Sequence, residues 1–157
     1  NQFAIMGSVY AKLILGIEDP RVGLLNVGEE ESKGNTLARA TYPLLKENRH
    51  IHFTGNVEGR DVLTDTADVM ICDGFTGNII LKMAESLYDI SRERNVKDEF
   101  FSRFNFENYG GTPVLGISQP VIIGHGISGS RAFMNMIHLA QLMLEKNVME
   151  KMKEELA

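Results

Sequence analysis

The first half of the chain alternates short apolar runs with polar loops and helix-patterned segments, and this alternation is the strongest constraint on its fold. The apolar runs cover residues 22–27, 51–54 and 68–72, and each has the length of a strand. Runs of this kind are typical of buried parallel strands. Strands that alternate with helices predict an α/β fold, with a mostly parallel sheet and helices on both faces.

Apolar residues at helical spacing predict four helices around these strands, and two further short runs predict a β-hairpin. Asn35 is expected to cap the second helix, and Pro43 inside it should kink that helix or cost stability. These elements together indicate a single α/β unit over residues 1–157. The predicted helices cover residues 3–15, 35–47, 77–91 and about 128–157, and the hairpin strands cover residues 113–117 and 121–123.

Composition and charge narrow the class of protein. Apolar residues make up 43% and charged residues 24%, a globular balance that argues against disorder. The net charge is −5 and no basic stripe typical of a nucleic-acid binder is visible. No apolar run reaches the ~20 residues of a membrane span. The lone Cys72 cannot form an internal disulfide, which favours a reducing compartment. The chain opens at Asn1 within an apolar periodic pattern, which favours a cut inside a longer protein.

The glycine-rich stretch over residues 73–78 is the strongest local signal for a site. It follows a predicted strand and leads into a predicted helix, where ligands of open α/β sheets bind and where free amides attract anions. Gly74 and Gly77 would let an anion approach the backbone. Thr76 either caps the helix or donates its hydroxyl to an oxyanion, and Asn78 offers an uncharged amide donor. A tight turn with a threonine cap and no ligand explains the same residues equally well.

A second strand-to-helix loop, residues 29–35, carries Lys33 beside Gly34. The Lys33 ammonium is a candidate charge for a phosphate or a developing oxyanion. The GxxxxGK[ST] order of a P-loop is absent. The three adjacent glutamates that precede Lys33 are poorly placed to converge on one metal ion. A loop that is simply solvated is the alternative interpretation.

Two further polar residues follow a strand end or adjoin glycines. Arg60 either contributes to an acyl or phosphate site or pairs with Glu58 or Asp61. His125 lies between two glycines, which indicates either the approach of a ligand or a structural hydrogen bond. The four histidines show no metal-ligand spacing, and no GxSxG or other nucleophile signature occurs.

Seven short motifs follow one another along the whole chain. They are MGSVY from Met6, PRVGLLNVGEE from Pro20, KGN from Lys33, GNVEGRD from Gly55, CDGFTGN from Cys72 with Lys82, YGG from Tyr109 and HG from His125. Each motif alone is weak, but the ordered set resembles the C-terminal half of the bacterial phosphate acyltransferases of fatty acid and phospholipid synthesis. The fold of that family is similar to the phosphotransacetylase-like and isocitrate-dehydrogenase-like α/β group.

This resemblance implies transfer of a long-chain acyl group from acyl-carrier protein to inorganic phosphate, which gives acyl phosphate without a metal or another cofactor. It implies that Lys33 and Asn78 act in catalysis. It also implies a cytoplasmic homodimer with weak peripheral membrane association. The residues expected to bind substrate or phosphate are Asn56, Arg60, Gly74, Thr76, Gly77 and His125.

The chain departs from the pattern of the family between its third helix and the YGG motif. Many members carry a long amphipathic helical insertion there, whereas residues 92–108 of this chain are short and only partly apolar. We expect the isolated chain to self-associate or to need further sequence, and to turn over slowly alone. Two other functions fit the residues: a short-chain phosphate acetyl- or butyryltransferase that uses coenzyme A, and an inactive fragment that acts as an assembly module.

Overall fold

The computed structural model describes the backbone of residues 1–157 and every side chain except that of Phe106. The helices are α1 (Gln2–Leu13), α2 (Thr36–Lys46), α3 (Gly74–Glu93), α4 (Glu99–Ser102), α5 (Ser130–Glu145) and α6 (Val148–Leu156). The strands are β1 (Arg21–Asn26), β2 (His52–Glu58), β3 (Val69–Ile71), β4 (Gly111–Val114) and β5 (Val121–Gly124). Two short 3₁₀ helices cover Gly59–Leu63 and Phe106–Asn108.

The chain divides into two compact units. The first consists of Asn1–Cys72 and Lys146–Ala157, and the second of Asp73–Glu145. The first unit contains the three-stranded parallel sheet, and the second contains the two-stranded hairpin. The α/β class, the parallel sheet flanked by helices and the hairpin are therefore confirmed. The expectation that residues 1–157 form a single α/β unit stays a prediction.

β1 is the central strand of the parallel sheet, with β2 and β3 on either side. Val22 and Leu24 of β1 are two residues apart, so they point to the same face, and both are buried. The strands are parallel, and their carboxyl ends therefore lie at one edge of the sheet. The loops that follow β1 and β2 leave the sheet at that edge. The buried residues of the core cluster are Ala4, Val22, Leu24, Leu45 and Ile71.

β2 continues through Glu58, four residues beyond the predicted strand. Its register with β1 pairs Leu24 with Asn56 and Asn26 with Glu58. Pairing with the central strand therefore extends the strand into polar residues beyond the predicted apolar run. Asn56 is buried, with 9% of its surface exposed. The predicted strand over residues 51–54 was therefore too short, and Asn56 lies inside β2.

α2 begins as predicted, because the Asn35 side chain accepts a hydrogen bond from the Ala38 amide at 2.8 Å. Pro43 lies inside α2, and the helix continues for three residues to Lys46. Proline has no N–H group, so the Arg39 carbonyl receives no helical hydrogen bond from position 43.

Two other helix boundaries differ from the predictions. α3 begins at Gly74, three residues earlier than predicted, because the Asp73 carboxylate accepts a hydrogen bond from the Thr76 amide and caps the helix. The predicted last helix is divided into α5 and α6 at Asn147, whose φ of 53° lies in the left-handed region. That backbone conformation interrupts a right-handed helix, and the two segments fall in different units.

The YGG motif has a packing role in the second unit. Gly110 has a φ of 85°, and a Cβ at this position would lie 2.6 Å from the Met136 nitrogen on α5. On the same helix, the Asn135 side-chain amide donates to the Glu107 carbonyl at 2.8 Å. The backbone before β4 thus meets α5 directly, and only glycine fits that approach.

Candidate active site

The predicted site residues fall into two groups, one in each unit. Lys33, Asn56 and Arg60 belong to the first unit. They gather around the loop 28–34, which joins β1 to α2 at the carboxyl edge of the sheet. The members of the second group are Gly74, Thr76, Gly77, Asn78 and His125.

The loop 28–34 is held at both ends by asparagine side chains. The Asn56 amide donates to the Glu30 carbonyl at 2.9 Å and to the Glu29 carbonyl at 3.4 Å. The Asn26 amide donates to the Lys33 carbonyl at 3.1 Å. A further bond within the loop runs from the Lys33 amide to the Glu30 carbonyl at 3.0 Å. Sequence reasoning assigned no role to Asn26, although this residue lies within the PRVGLLNVGEE motif, as a polar residue at the end of a buried strand.

Glycines allow the loop to close tightly. Gly34 has a φ of 91°, and a Cβ there would lie 2.2 Å from the Asn26 Oδ1 atom. A Cβ at Gly28 would lie 3.1 Å from the Lys33 Cγ atom, so the aliphatic stem of Lys33 runs close to the loop backbone. Both positions exclude larger side chains without movement of their neighbours.

Carboxylates neutralise two of the cations around this loop. Arg60 forms ion pairs with Glu58 and, at 3.8 Å, with Glu29. Lys46 pairs with Glu31 at 2.5 Å, and its hydrogen bond lowers the pKa of the Glu31 carboxyl. The charge of Arg60 is therefore balanced, as the alternative interpretation of this residue anticipated.

Lys33 differs from these two cations. Its side chain is exposed, and among the described residues no carboxylate oxygen lies within 4.0 Å of its ammonium. The loop thus presents one positive charge that its own carboxylates leave unpaired. A charge of this kind can attract an anion or stabilise a developing oxyanion.

The side-chain amide of Asn56 binds the backbone of the loop. An asparagine amide has two N–H donors, and here both loop carbonyls at Glu29 and Glu30 accept from it. Its Oδ1 atom is buried and has no hydrogen-bond donor among the described residues. These bonds join Asn56 to the backbone of the loop that carries Lys33; a direct contact between Asn56 and substrate stays a prediction.

At the start of α3, the predicted cap was the wrong residue. Asp73, not Thr76, is the N-cap: its two carboxylate oxygens accept from the Thr76 amide and the Thr76 hydroxyl, each at 2.8 Å. The hydrogen bond from the Thr76 amide lowers the pKa of Asp73. The Gly77 amide donates to the Asp73 carbonyl at 3.0 Å, so it is not a free donor for an anion.

The remaining donors at this helix end are more limited than predicted. The Asp73 carboxylate already occupies the positive end of the helix dipole and would repel a second anion. Asn78 lies in the second turn of α3 with an exposed side chain. A Cβ at Gly74 would meet nothing within 4 Å, so the backbone there is open to approach. Asn78 and the Gly74 backbone are thus the groups that a substrate could reach.

His125 lies elsewhere in the second unit, at an open pocket of about 280 Å³. The α3 residues that line this pocket come from the second half of the helix, so the pocket does not include the first turn at Gly74. Three carboxylates line it against one arginine, which makes it poorly suited to phosphate. The lining residues are Glu85, Tyr88, Asp89, Arg92, Phe104, Asn105, Glu107, His125 and Ile127.

Metal ligation finds no support in the side chains that are described. Among them, no group of three or more histidine, cysteine, aspartate or glutamate residues is arranged to hold a metal ion. The adjacent glutamates at 29–31 instead point to different partners. Glu29 is near Arg60, and Glu31 binds Lys46.

The sequence matches one family model and is similar to several known proteins. Residues 1–151 match the family model described as fatty acid synthesis protein. The phosphate acyltransferase of Syntrophomonas wolfei is 45% identical over 161 residues, which cover 99% of this chain and 50% of the relative. That of Halothermothrix orenii is 40% identical over 176 residues, 99% of this chain and 53% of the relative. That of Aquifex aeolicus is 42% identical over 171 residues, 96% of this chain and 50% of the relative.

The alignments also show how this chain compares in length with its relatives. The chain spans about half the length of the curated relatives that it matches. The alignment with the H. orenii protein runs over 176 residues, more than the 157 residues of this chain, so that relative carries residues that this chain lacks.

Proposed function

Because this chain belongs to the family of fatty acid synthesis proteins, we propose that it carries part of a phosphate acyltransferase active site. The proposed reaction moves a long-chain acyl group from the thioester of acyl-carrier protein to inorganic phosphate. A phosphate oxygen attacks the carbonyl carbon, the new C–O bond forms, and the C–S bond breaks. The products are acyl phosphate and the carrier thiol, which takes up a proton as the thiolate leaves.

The observation that carries this proposal is the unpaired ammonium of Lys33 on a restrained loop. Phosphate is an anion and must be held in position before it can attack a carbonyl carbon. Lys33 attracts the phosphate and offsets its charge. The neighbouring cations Arg60 and Lys46 are less suited to this role, because carboxylates already pair with both.

For Asn78, in the second unit, we propose a role that rests on the family resemblance and on its exposed amide: it stabilises the tetrahedral oxyanion. Its exposed side-chain amide can donate a hydrogen bond without adding a charge that would repel phosphate. Removing one such donor from an oxyanion site typically slows a reaction about 100-fold to 1,000-fold. A thiolate is a good leaving group, so neither an enzyme nucleophile nor a strong general acid is needed.

Exposed apolar side chains support the proposed homodimer and a weak contact with a membrane surface. On α3, Phe75, Ile79, Met83 and Ile90 recur at helical spacing, and between 48% and 78% of each is exposed. Apolar surfaces of this kind commonly mark association. Within the described residues, no helix is both long and apolar enough to cross a membrane. We propose the cytoplasm as the location.

The decisive experiment assays the complete gene product that contains these 157 residues. The protein is incubated with phosphate and either long-chain acyl-carrier protein or short-chain acyl-coenzyme A, and acyl phosphate is trapped with hydroxylamine. We expect trapped product with the carrier protein. Product only with the coenzyme A substrates would identify a short-chain phosphate acyltransferase, and no product with either would favour an assembly module.

A further inference from the structure

We propose that Asn26 and Asn56 are positioning residues, which clamp the loop 28–34 and thereby hold the Lys33 ammonium where phosphate binds. The inference rests on the proposed function of Lys33. It gives a role to Asn26, which lies within the PRVGLLNVGEE motif but was not among the expected site residues. It also replaces the expected contact of Asn56 with substrate.

Asn56 anchors the first half of the loop from within the sheet. It lies inside β2, paired with Leu24 of the central strand, and is almost entirely buried. Pairing with β1 fixes the backbone of Asn56. The side-chain amide of Asn56 is therefore already directed at the Glu29 and Glu30 carbonyls. The opposite orientation of the amide would set Oδ1 against two carbonyl oxygens, which would repel it.

Asn26 anchors the second half of the loop from the end of β1. Its Oδ1 atom accepts a hydrogen bond from the Val27 amide at 2.8 Å, and its Nδ2 atom donates to the Lys33 carbonyl at 3.1 Å. One half-buried side chain therefore binds the backbone at Val27, where the loop leaves β1, and at Lys33, near the other end of the loop. The absence of a side chain at Gly34 makes room for this contact.

A third tether, between Glu31 and Lys46, has a different character. About 60% of each side chain is exposed. Exposed ion pairs contribute little to stability, because water and salt screen them. The Asn56 contacts are partly buried, and the Asn26 contact, although exposed, also acts on the backbone itself. We therefore expect both to order the loop while the ion pair adds little. Lys46→Ala is therefore a matched control that removes a contact of the loop without releasing the clamp.

The clamp matters because positioning errors are costly in catalysis. A misplacement of about 1 Å in a reacting group can reduce the rate roughly 100-fold. A lysine side chain is long and flexible, so the position of its backbone is what the fold can control. Restraint on both sides of Lys33 limits the volume that its ammonium samples.

The test combines amide hydrogen exchange of the loop with a double-mutant cycle, both in the complete gene product. Asn26→Asp keeps the acceptor for Val27 but removes the donor to the Lys33 carbonyl, and Asn56→Leu removes both donors at a similar volume. Amide hydrogen exchange of residues 28–34 is followed by mass spectrometry. Acyl-phosphate formation is measured against phosphate and acyl-carrier concentration. Asn48→Asp, in the loop at the opposite edge of the sheet, controls for an added charge combined with the loss of one side-chain donor, because the Asn48 amide donates to Asn1 Oδ1 at 2.7 Å.

We expect faster exchange over residues 28–34 in both variants and wild-type exchange in Lys46→Ala and Asn48→Asp. The value of kcat/KM for phosphate should fall about 10-fold to 100-fold, with the KM for the acyl carrier unchanged. In a Lys33→Ala background the same asparagine changes should have little further effect, because the group that they position is gone.

Several results would overturn the proposal. Unchanged amide exchange over residues 28–34 in Asn26→Asp would show that no clamp exists. If Asn56→Leu fails to fold, Asn26→Asp alone still tests the proposal. An equal loss of activity in the wild-type and Lys33→Ala backgrounds would show a general structural role instead. If the wild-type protein forms no acyl phosphate, the proposed function fails, and the exchange data alone decide whether the two asparagines order the loop.

Discussion

The side-chain amide of Asn26 donates a hydrogen bond to the main-chain carbonyl of Lys33, seven residues further along the chain, at 3.1 Å. Asn26 is the last residue of the central strand, so this bond ties the loop to the most restrained part of the sheet. A solvated loop that merely joined a strand to a helix would not need such a restraint. The relationship therefore favours a loop whose conformation matters for the position of Lys33.

Lys33→Ala should reduce acyl-phosphate formation roughly 100-fold, the usual effect of losing one preorganised charge or donor at an oxyanion. Folding should be unaffected, because the side chain is exposed and forms no ion pair among the described residues. Turnover and thermal melting of the complete gene product measure the two effects. Lys12→Ala, which removes an exposed lysine near the C-terminus of α1, is the control. A turnover within twofold of wild type would reduce Lys33 to a solvated residue.

Asn78→Asp should depress turnover about 100-fold or more with little change in stability. The substitution keeps the size of the side chain but replaces an amide donor with a carboxylate that repels phosphate. It also adds a second negative charge to the first turns of α3, where Asp73 already supplies one. Steady-state assays and thermal melts of the variant are compared with those of Asn48→Asp. Normal turnover would show that the oxyanion is stabilised elsewhere.

Asp73→Asn should separate the capping role of Asp73 from its charge. The pKa of Asp73 is lowered by its hydrogen bonds with Thr76, so its carboxylate stabilises the folded state above the unfolded pKa near 3.9. That contribution is lost as the pH falls through the lower pKa of the folded state. Asparagine keeps the acceptor for the Thr76 amide but not the charge. The Tm difference between wild type and variant should therefore be a few degrees at pH 7 and shrink below about pH 4.

Thermal melts between pH 3 and pH 7 test this expectation. A Tm difference that stays constant over this range would mean that the charge of Asp73 contributes nothing to the stability of α3. The same variant also bears on anion binding. If phosphate meets the first turn of α3, removal of the Asp73 charge should lower the KM for phosphate.

Local patterns were sufficient to predict the parallel sheet and the start of α2. The apolar run around Val22 and Leu24 predicts a buried strand without further information. Asn35 is a strong N-cap that precedes a helical pattern. The start of α3 was harder to place, since Asp73 and Thr76 are both good caps and only the structure decides between them. The YGG motif likewise gave no local sign that it packs against α5.

The clamp around Lys33 could not be predicted, because it depends on register. Asn56 reaches the Glu30 carbonyl across 26 residues, and that contact exists only when β2 pairs with β1 as it does. A shift of one residue would turn the Asn56 side chain to the other face of the sheet. Sequence reasoning could select Lys33 and Asn56 as polar residues near strand ends, but it gave no sign that Asn56 contacts the loop that carries Lys33.

Gly34→Ala should destabilise the protein more than Gly16→Ala, and the difference should disappear when Asn26 is removed. Both glycines have positive φ, 91° and 73°, so alanine pays a similar backbone cost of about 1–2 kcal/mol at each. A Cβ at Gly16 meets nothing within 4 Å, whereas at Gly34 it would lie 2.2 Å from the Asn26 Oδ1 atom. Gly34→Ala must therefore also displace the side chain that holds the Lys33 carbonyl. Denaturant unfolding of both variants, alone and with Asn26→Ala, measures the coupling. Equal costs in the wild-type background would mean that Asn26 moves aside freely and does not restrain the loop.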